Sequence, residues 1–193
     1  MSWDPYLDLS SGVLRNVLGI TDATELAEAE ADFTTLRIAQ LHRTPQPGSY
    51  DLAHLQAFHR HIFGDLYDWA GELRTVSIGR RILFCLPEHI AGDGEELFAW
   101  LARTAFLRGL DRGAFVDGLT ELLADLNALH PFRDGNGRTQ RAFVAQLARD
   151  AGHAVRWSAM DAAENVAASR AAQEGDVARL HAMLDKLVRR PAT

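Results

Sequence analysis

His130-Pro131-Phe132-Arg133-Asp134-Gly135-Asn136-Gly137-Arg138-Thr139-Gln140-Arg141 joins two stretches of helical apolar spacing in a chain of 193 residues. Before it, Phe115, Leu119, Leu122, Leu126 and Leu129 recur at helical spacing, a stripe wide enough to bury a helix from Asp111 to Leu129 in the centre of a domain. After it, Phe143, Val144 and Leu147 line the apolar face of a helix that opens at Arg138 and stops at Ala151-Gly152, since glycine is the common residue just past a helix end. The run is thus the loop of a helix, loop, helix junction. No other part of the chain gathers so much polar chemistry between two apolar-periodic segments.

Working outward, the same periodicity predicts a mostly helical protein. Thr21 to Leu41 reads as a helix capped by Thr21 or Asp22, with Leu26, Phe33, Leu36 and Leu41 inward, ended by Pro45, Pro47 and Gly48. Asp51 to Tyr67 repeats the pattern with Leu52, Leu55, Phe58, Ile62 and Leu66. Between Leu73 and Leu86 the period changes to alternation, and Gly79-Arg80-Arg81 separates it from Ile82-Leu83-Phe84-Cys85, which predicts a small β-hairpin. Pro87 closes it. A helix from about Glu88 to Leu107 follows, and the segment from Ser158 predicts one or two short helices with Val166, Val177, Leu180, Leu184 and Leu187 inward.

The length suits one domain over residues 1–193. With 47% hydrophobic and 24% charged residues and no apolar run of bilayer length, the composition is that of an ordinary globular protein. No membrane partner is expected. The opening MSWDPYLDLSSGV has no basic start followed by an apolar stretch, and the one cysteine, Cys85, has no partner for a bridge or a zinc site; a cytoplasmic address is the expectation. A net charge of −6 disfavours a broad nucleic-acid-binding surface, so any basic patch must be local. Lys186 is the only lysine, which removes the phosphate-binding lysine of a P-loop.

Each residue type in the junction suits polyphosphate chemistry. Glycines at 135 and 137 let the backbone turn so that successive N–H groups point into one concavity at a helix N-terminus, where anions bind. A glycine turn capped by Asn136 is the plainer alternative. Arg138 and Arg141, three apart, share a face at the helix end where cations oppose the dipole, a conflict that a bound diphosphate would resolve. As surface arginines bridging acids they would contribute little. Asp134 beside such a loop is a candidate Mg²⁺ ligand, magnesium needing only one or two carboxylates when phosphates and waters complete its shell; otherwise it is an N-cap. His130, with an ordinary pKa of about 6.5, can accept a proton at neutral pH as a general base, or bond the last carbonyls of its helix. Pro131 and Phe132 fix the loop's exit. His54, His59 and His61 lack metal-ligand spacing, and no GxSxG or HExxH motif occurs.

The junction resembles, position for position, the HPFx(D/E)GNGRxxR signature of the Fic (filamentation induced by cAMP) family of protein adenylyltransferases. The segments Phe58-His59-Arg60-His61-Ile62-Phe63 and Tyr67-Asp68-Trp69-Ala70-Gly71-Glu72-Leu73-Arg74 extend the resemblance over roughly residues 45 to 155. It implies a bundle of about eight helices with one β-hairpin, the flap, beside the active site. By position, it implies His130 as the base toward a Tyr, Thr or Ser hydroxyl of a target protein, Asp134 as the Mg²⁺ ligand, Gly135, Asn136 and Gly137 as the anion hole, and Arg138 and Arg141 on the departing phosphates of ATP. Ile78, Gly79, Arg80 and Phe84 fall in the implied target flap, where Phe84 either clamps the target chain or packs under the hairpin.

The resemblance also bears on regulation. Many relatives carry an inhibitory (S/T)xxxE(G/N) helix. Here Glu164-Asn165 has Met160 four residues before the glutamate and Glu174-Gly175 has Arg170, so an inhibitory helix is expected from a small antitoxin partner. That is the layout of standalone toxins, a subset of which modifies type II topoisomerase ATPase subunits. Gly137, where a phosphotransferase subset has lysine, favours AMP transfer over phosphorylation. UMP or phosphocholine donors, and a non-catalytic ATP-binding module, remain the alternatives.

Overall fold

The computed structural model describes residues 4–79 and 83–189. The described residues form seven α-helices: α1 (Ala23–Arg43), α2 (Leu52–Phe63), α3 (Ile90–Arg103), α4 (Arg112–Leu129), α5 (Asn136–Asp150), α6 (Ala162–Gln173) and α7 (Ala178–Leu187). Aspartates open four of them. Asp22, Asp51, Asp111 and Asp161 each accept backbone N–H groups of the first turn of α1, α2, α4 and α6, satisfying donors that the helix itself leaves orphaned. No helix among the described residues is long and apolar enough to cross a membrane.

Helix α4 is the axis of the bundle, with Phe115, Leu119, Leu122 and Leu126 fully buried and α3, α5, α6 and α7 all packed against it. Helix α2 lies between α1 and α5, and Phe58 and Phe143 meet edge to face across the α2–α5 contact at 5.6 Å. Leu36, expected inward, is 54% exposed on α1, and Val166 and Val177 also face solvent. The stripe on α1 is narrower than its apolar residues suggested, because α1 packs along one side of the bundle against α2 and α5.

The predicted hairpin is present at its expected place as short pairing. Among the described residues its pairing consists of a single antiparallel bridge, Gly79 with Leu83, and a hydrogen bond from Phe84 N–H to the Ile78 carbonyl at 3.2 Å. The small two-stranded sheet lies elsewhere: β1 (Ala154–Val155) runs antiparallel to β2 (Val188–Arg189) and ties the C-terminal helices to the end of α5. Beyond this pairing, the stems of the 73–86 segment are held by buried hydrogen bonds to the α4–α5 junction, described below. Arg80 lies outside the described residues.

Candidate active site

The junction begins where α4 ends. His130 is its C-cap in the left-handed region, φ 43°, and Pro131 prevents further helix. Phe132 turns the chain inward and is 1% exposed. Asn136 then locks the turn: its side-chain oxygen accepts from Phe132 N–H at 3.0 Å while its amide donates to the Phe132 carbonyl at 2.8 Å. Asn136 thus spends its side chain on the loop and faces the cleft with its backbone.

Helix α5 starts at Asn136, two residues earlier than the spacing predicted, so Gly137 is already helical and only Gly135 has positive φ, 75°. A Cβ on Gly135 would sit 2.3 Å from the Phe63 ring. No side chain caps α5, and the N–H groups of residues 136, 137 and 138 have no acceptor among the described residues, the first N–H to find one being that of Thr139, on the Gly135 carbonyl. Three aligned donors at the positive end of a helix form a concavity suited to phosphate oxygens.

His130, Asp134, Gly135, Asn136, Gly137, Arg138 and Arg141 line one cleft of about 270 Å³ together with Arg133. Its two α5 arginines differ. Arg138 donates to Glu30 of α1 at 2.6 Å and lies over the Phe63 ring at 4.7 Å; Tyr67 donates to the other oxygen of the same Glu30. Arg141 has no carboxylate partner among the described residues, and burial together with the Arg138 charge lowers its pKa. Its charge is the uncompensated one. Asp134 is exposed at the rim, and its Oδ1 accepts from Gly135 N–H; among the described residues no second hydrogen bond engages the carboxylate, which could hold a hard cation whose shell phosphates and waters would complete. Among the described residues no cluster of three ligating side chains exists.

The His130 ring lies under Phe84, stacked at 3.8 Å between centroids. Its Nδ1 is 3.3 Å from the Asn127 carbonyl, an acceptor only, so Nδ1 carries the proton and Nε2 keeps its lone pair. Burial lowers the pKa of His130 to about 4. The histidine is therefore neutral across the physiological range.

His59, assigned no role from its spacing, sits behind the loop. Gly71 N–H donates to its Nδ1 at 2.8 Å, so its Nε2 carries the proton and donates to the Asp134 carbonyl at 3.0 Å. The ring is stacked on Phe132 at 3.9 Å and on Phe63 at 4.7 Å, and burial lowers its pKa to about 4. Glu30 and Arg74 were also missed. The partners that bring them to the site, Arg138 for Glu30 and the Leu129 and His130 carbonyls for Arg74, lie far away in sequence. A larger groove, about 890 Å³, adjoins the cleft through Phe84 and carries Asp93, Glu96, Glu121 and Asp125 against one arginine, Arg103; this predominantly acidic lining suits a polyphosphate less well than the smaller cleft does.

The Fic/DOC family model matches residues 49–148. The protein adenylyltransferase VbhT of Bartonella schoenbuchensis is 41% identical over 167 residues, covering 86% of this chain, while this chain spans 35% of VbhT. A probable protein adenylyltransferase Fic of Salmonella typhimurium is 38% identical over 96% of this chain and 92% of its own length. Among solved structures, the BepC protein of Bartonella tribocorum with bound AMPPNP superposes with a TM-score of 0.91 at 25% identity, covering 97% of each chain. The N-terminal Fic domain of a cell filamentation protein of Bartonella quintana with bound ADP gives 0.90 at 27% identity, over 96% of this chain and 94% of its own.

Proposed function

The chain belongs to the Fic/DOC family, and on that premise we propose that it is a protein adenylyltransferase, moving AMP from ATP to a side-chain hydroxyl of a target protein. One observation carries the reading: a neutral histidine and an uncapped helix N-terminus with a free arginine line the same cleft. Nε2 of His130 accepts the hydroxyl proton as the oxygen attacks the α-phosphorus; the bond to the bridging oxygen breaks, and pyrophosphate leaves. The N–H groups of residues 136–138 and the Arg141 guanidinium receive the charge that develops on the leaving group. Asp134 would hold Mg²⁺, which neutralises phosphate charge when bound. Bound AMPPNP and ADP in the similar structures support ATP as the donor.

The acceptor is a Tyr, Thr or Ser hydroxyl, and because Phe84 covers His130, the target segment must pass along the flap residues Ile78, Gly79 and Phe84 to reach the base. A type II topoisomerase ATPase subunit fits the class. The chain has no (S/T)xxxE(G/N) run and among the described residues no carboxylate pairs with Arg141, which supports a small antitoxin that supplies a glutamate to that arginine. This would make the protein the toxin of a pair.

Incubation with α-labelled ATP, Mg²⁺ and bacterial lysate, followed by mass spectrometry of labelled bands, tests the reading. The intact protein is expected to label a target with AMP, and His130→Ala to label nothing while binding AMPPNP as before. Transfer persisting without His130 would overturn the mechanism. Binding without transfer in either form would point to another donor or to a binding-only role.

A further inference from the structure

Arg74 is among the largest fully buried side chains of the molecule, at 2% exposure, and among the described residues no carboxylate pairs with it. A buried cation without a counter-ion is costly unless fixed dipoles replace its water. Four backbone carbonyls do so. Nε donates to the His130 carbonyl at 2.8 Å, Nη1 to the Val76 carbonyl at 2.8 Å, and Nη2 to the Cys85 carbonyl and, at 3.4 Å, to that of Leu129. Two of these acceptors, Leu129 and His130, are the last carbonyls of α4, the negative end of its dipole. The other two belong to the incoming and outgoing stems of the flap. Arg74 N–H also donates to the Pro131 carbonyl at 2.9 Å, and Cys85 N–H to that of Ala128 at 3.0 Å.

One guanidinium thus fastens three things at a point: the left-handed backbone of His130, φ 43°, the incoming stem at Val76, and the outgoing stem at Cys85, whose neighbour Phe84 stacks on the His130 ring. Only a planar fork with donors in several directions can do this. We propose that Arg74 is a positioning residue for the transfer, setting the His130 ring in register with the flap so that base and target segment meet. It is not among the residues that line the cleft. The proposal rests on the adenylyltransferase reading for its consequence but not for its geometry, and it implies that Arg74 affects turnover rather than nucleotide binding.

Arg74→Met and Arg74→Lys are the variants to compare. The first removes the charge and all donors; the second keeps a buried charge but not the fork, and is the one to read should the first fail to fold. In histidine-labelled full-length protein, the His130 resonance, assigned by its loss in His130→Ala, reports ring placement without any activity. The charged group acting on that ring is Arg74 itself, and Arg133, Asp134, Arg138 and Arg141 share the cleft that His130 lines. Both variants are expected to move the His130 resonance, and Arg74→Met, which also removes a positive charge, to raise its titration midpoint, with AMPPNP affinity in Mg²⁺ within a few-fold of the parent. Where AMP transfer is measured, kcat should fall about 100-fold in Arg74→Met, the scale of an ångström misplacement, with KM for ATP nearly unchanged. An unmoved His130 resonance in a folded variant would overturn the proposal. So would a loss confined to KM for ATP. Absence of transfer in the parent would refute the adenylyltransferase reading while leaving the His130 signal to decide on Arg74.

Discussion

Gly135 and Gly137 occupy equivalent places in the motif and have different physical roles. Gly135 combines φ 75° with a Cβ position 2.3 Å from the Phe63 ring, whereas a Cβ on Gly137, in helical conformation, would stand 3.1 Å from the movable Nη1 of Arg141. Gly135→Ala is therefore expected to destabilise the protein by about 2 to 4 kcal/mol in urea denaturation. Gly137→Ala should leave stability within about 0.5 kcal/mol, as helix propensity offsets the contact, and instead weaken AMPPNP binding by displacing Arg141 and filling the cleft. Equal effects of the two on stability would contradict the conformations described. Both glycines were legible as a turn before a helix, but which of them needs the left-handed conformation was not, because the helix starts at Asn136 rather than Arg138.

Helix α1 reaches the cleft through Glu30, which holds Arg138 and the Tyr67 hydroxyl at once. Its other ion pair, Arg37 with Asp65 at 2.6 Å, is about a third exposed on both sides. Glu30→Ala strands two partly buried polar groups and is expected to cost about 2 kcal/mol, while Arg37→Ala should cost under about 1 kcal/mol; urea denaturation of the two variants checks the order. The flap gives the corresponding lesson about strands. Alternation from Leu73 marked the flap correctly as to place, yet among the described residues many of its backbone groups are met by Arg74, Pro131 and Ala128 rather than by the facing stem. Period-2 patterning reports which residues face inward. It does not report which acceptor each N–H finds.

Across the whole molecule, burial makes stability depend on pH. Folding lowers the pKa of His59 and of His130 to about 4 by desolvation, against about 6.5 in an unfolded chain. Between these values the unfolded chain holds protons that the folded one does not, so stability is fully present above about pH 6.5, declines as pH falls toward 4, and levels off below. For the fully buried His59 the loss is on the order of 3 kcal/mol. His130→Ala should reduce the slope of unfolding free energy against pH in that window by up to about 1.4 kcal/mol per pH unit, one proton's worth, as measured by urea titrations at pH 5 and 7. An unchanged slope would mean that His130 titrates normally. The sequence by itself determined the helical class, the α4–α5 junction and the residues that line the cleft, because helical periodicity, the glycine turn and the spacing of His130, Asp134, Arg138 and Arg141 are short-range properties carried by neighbouring positions. Tertiary structure alone decided that Glu30 takes Arg138, that His59 holds the Asp134 carbonyl, that Phe84 covers His130 and that Arg74 ties the flap to α4. Each of these contacts joins residues dozens of positions apart, and their electrostatics arise from desolvation, which exists only once the helices have closed around them.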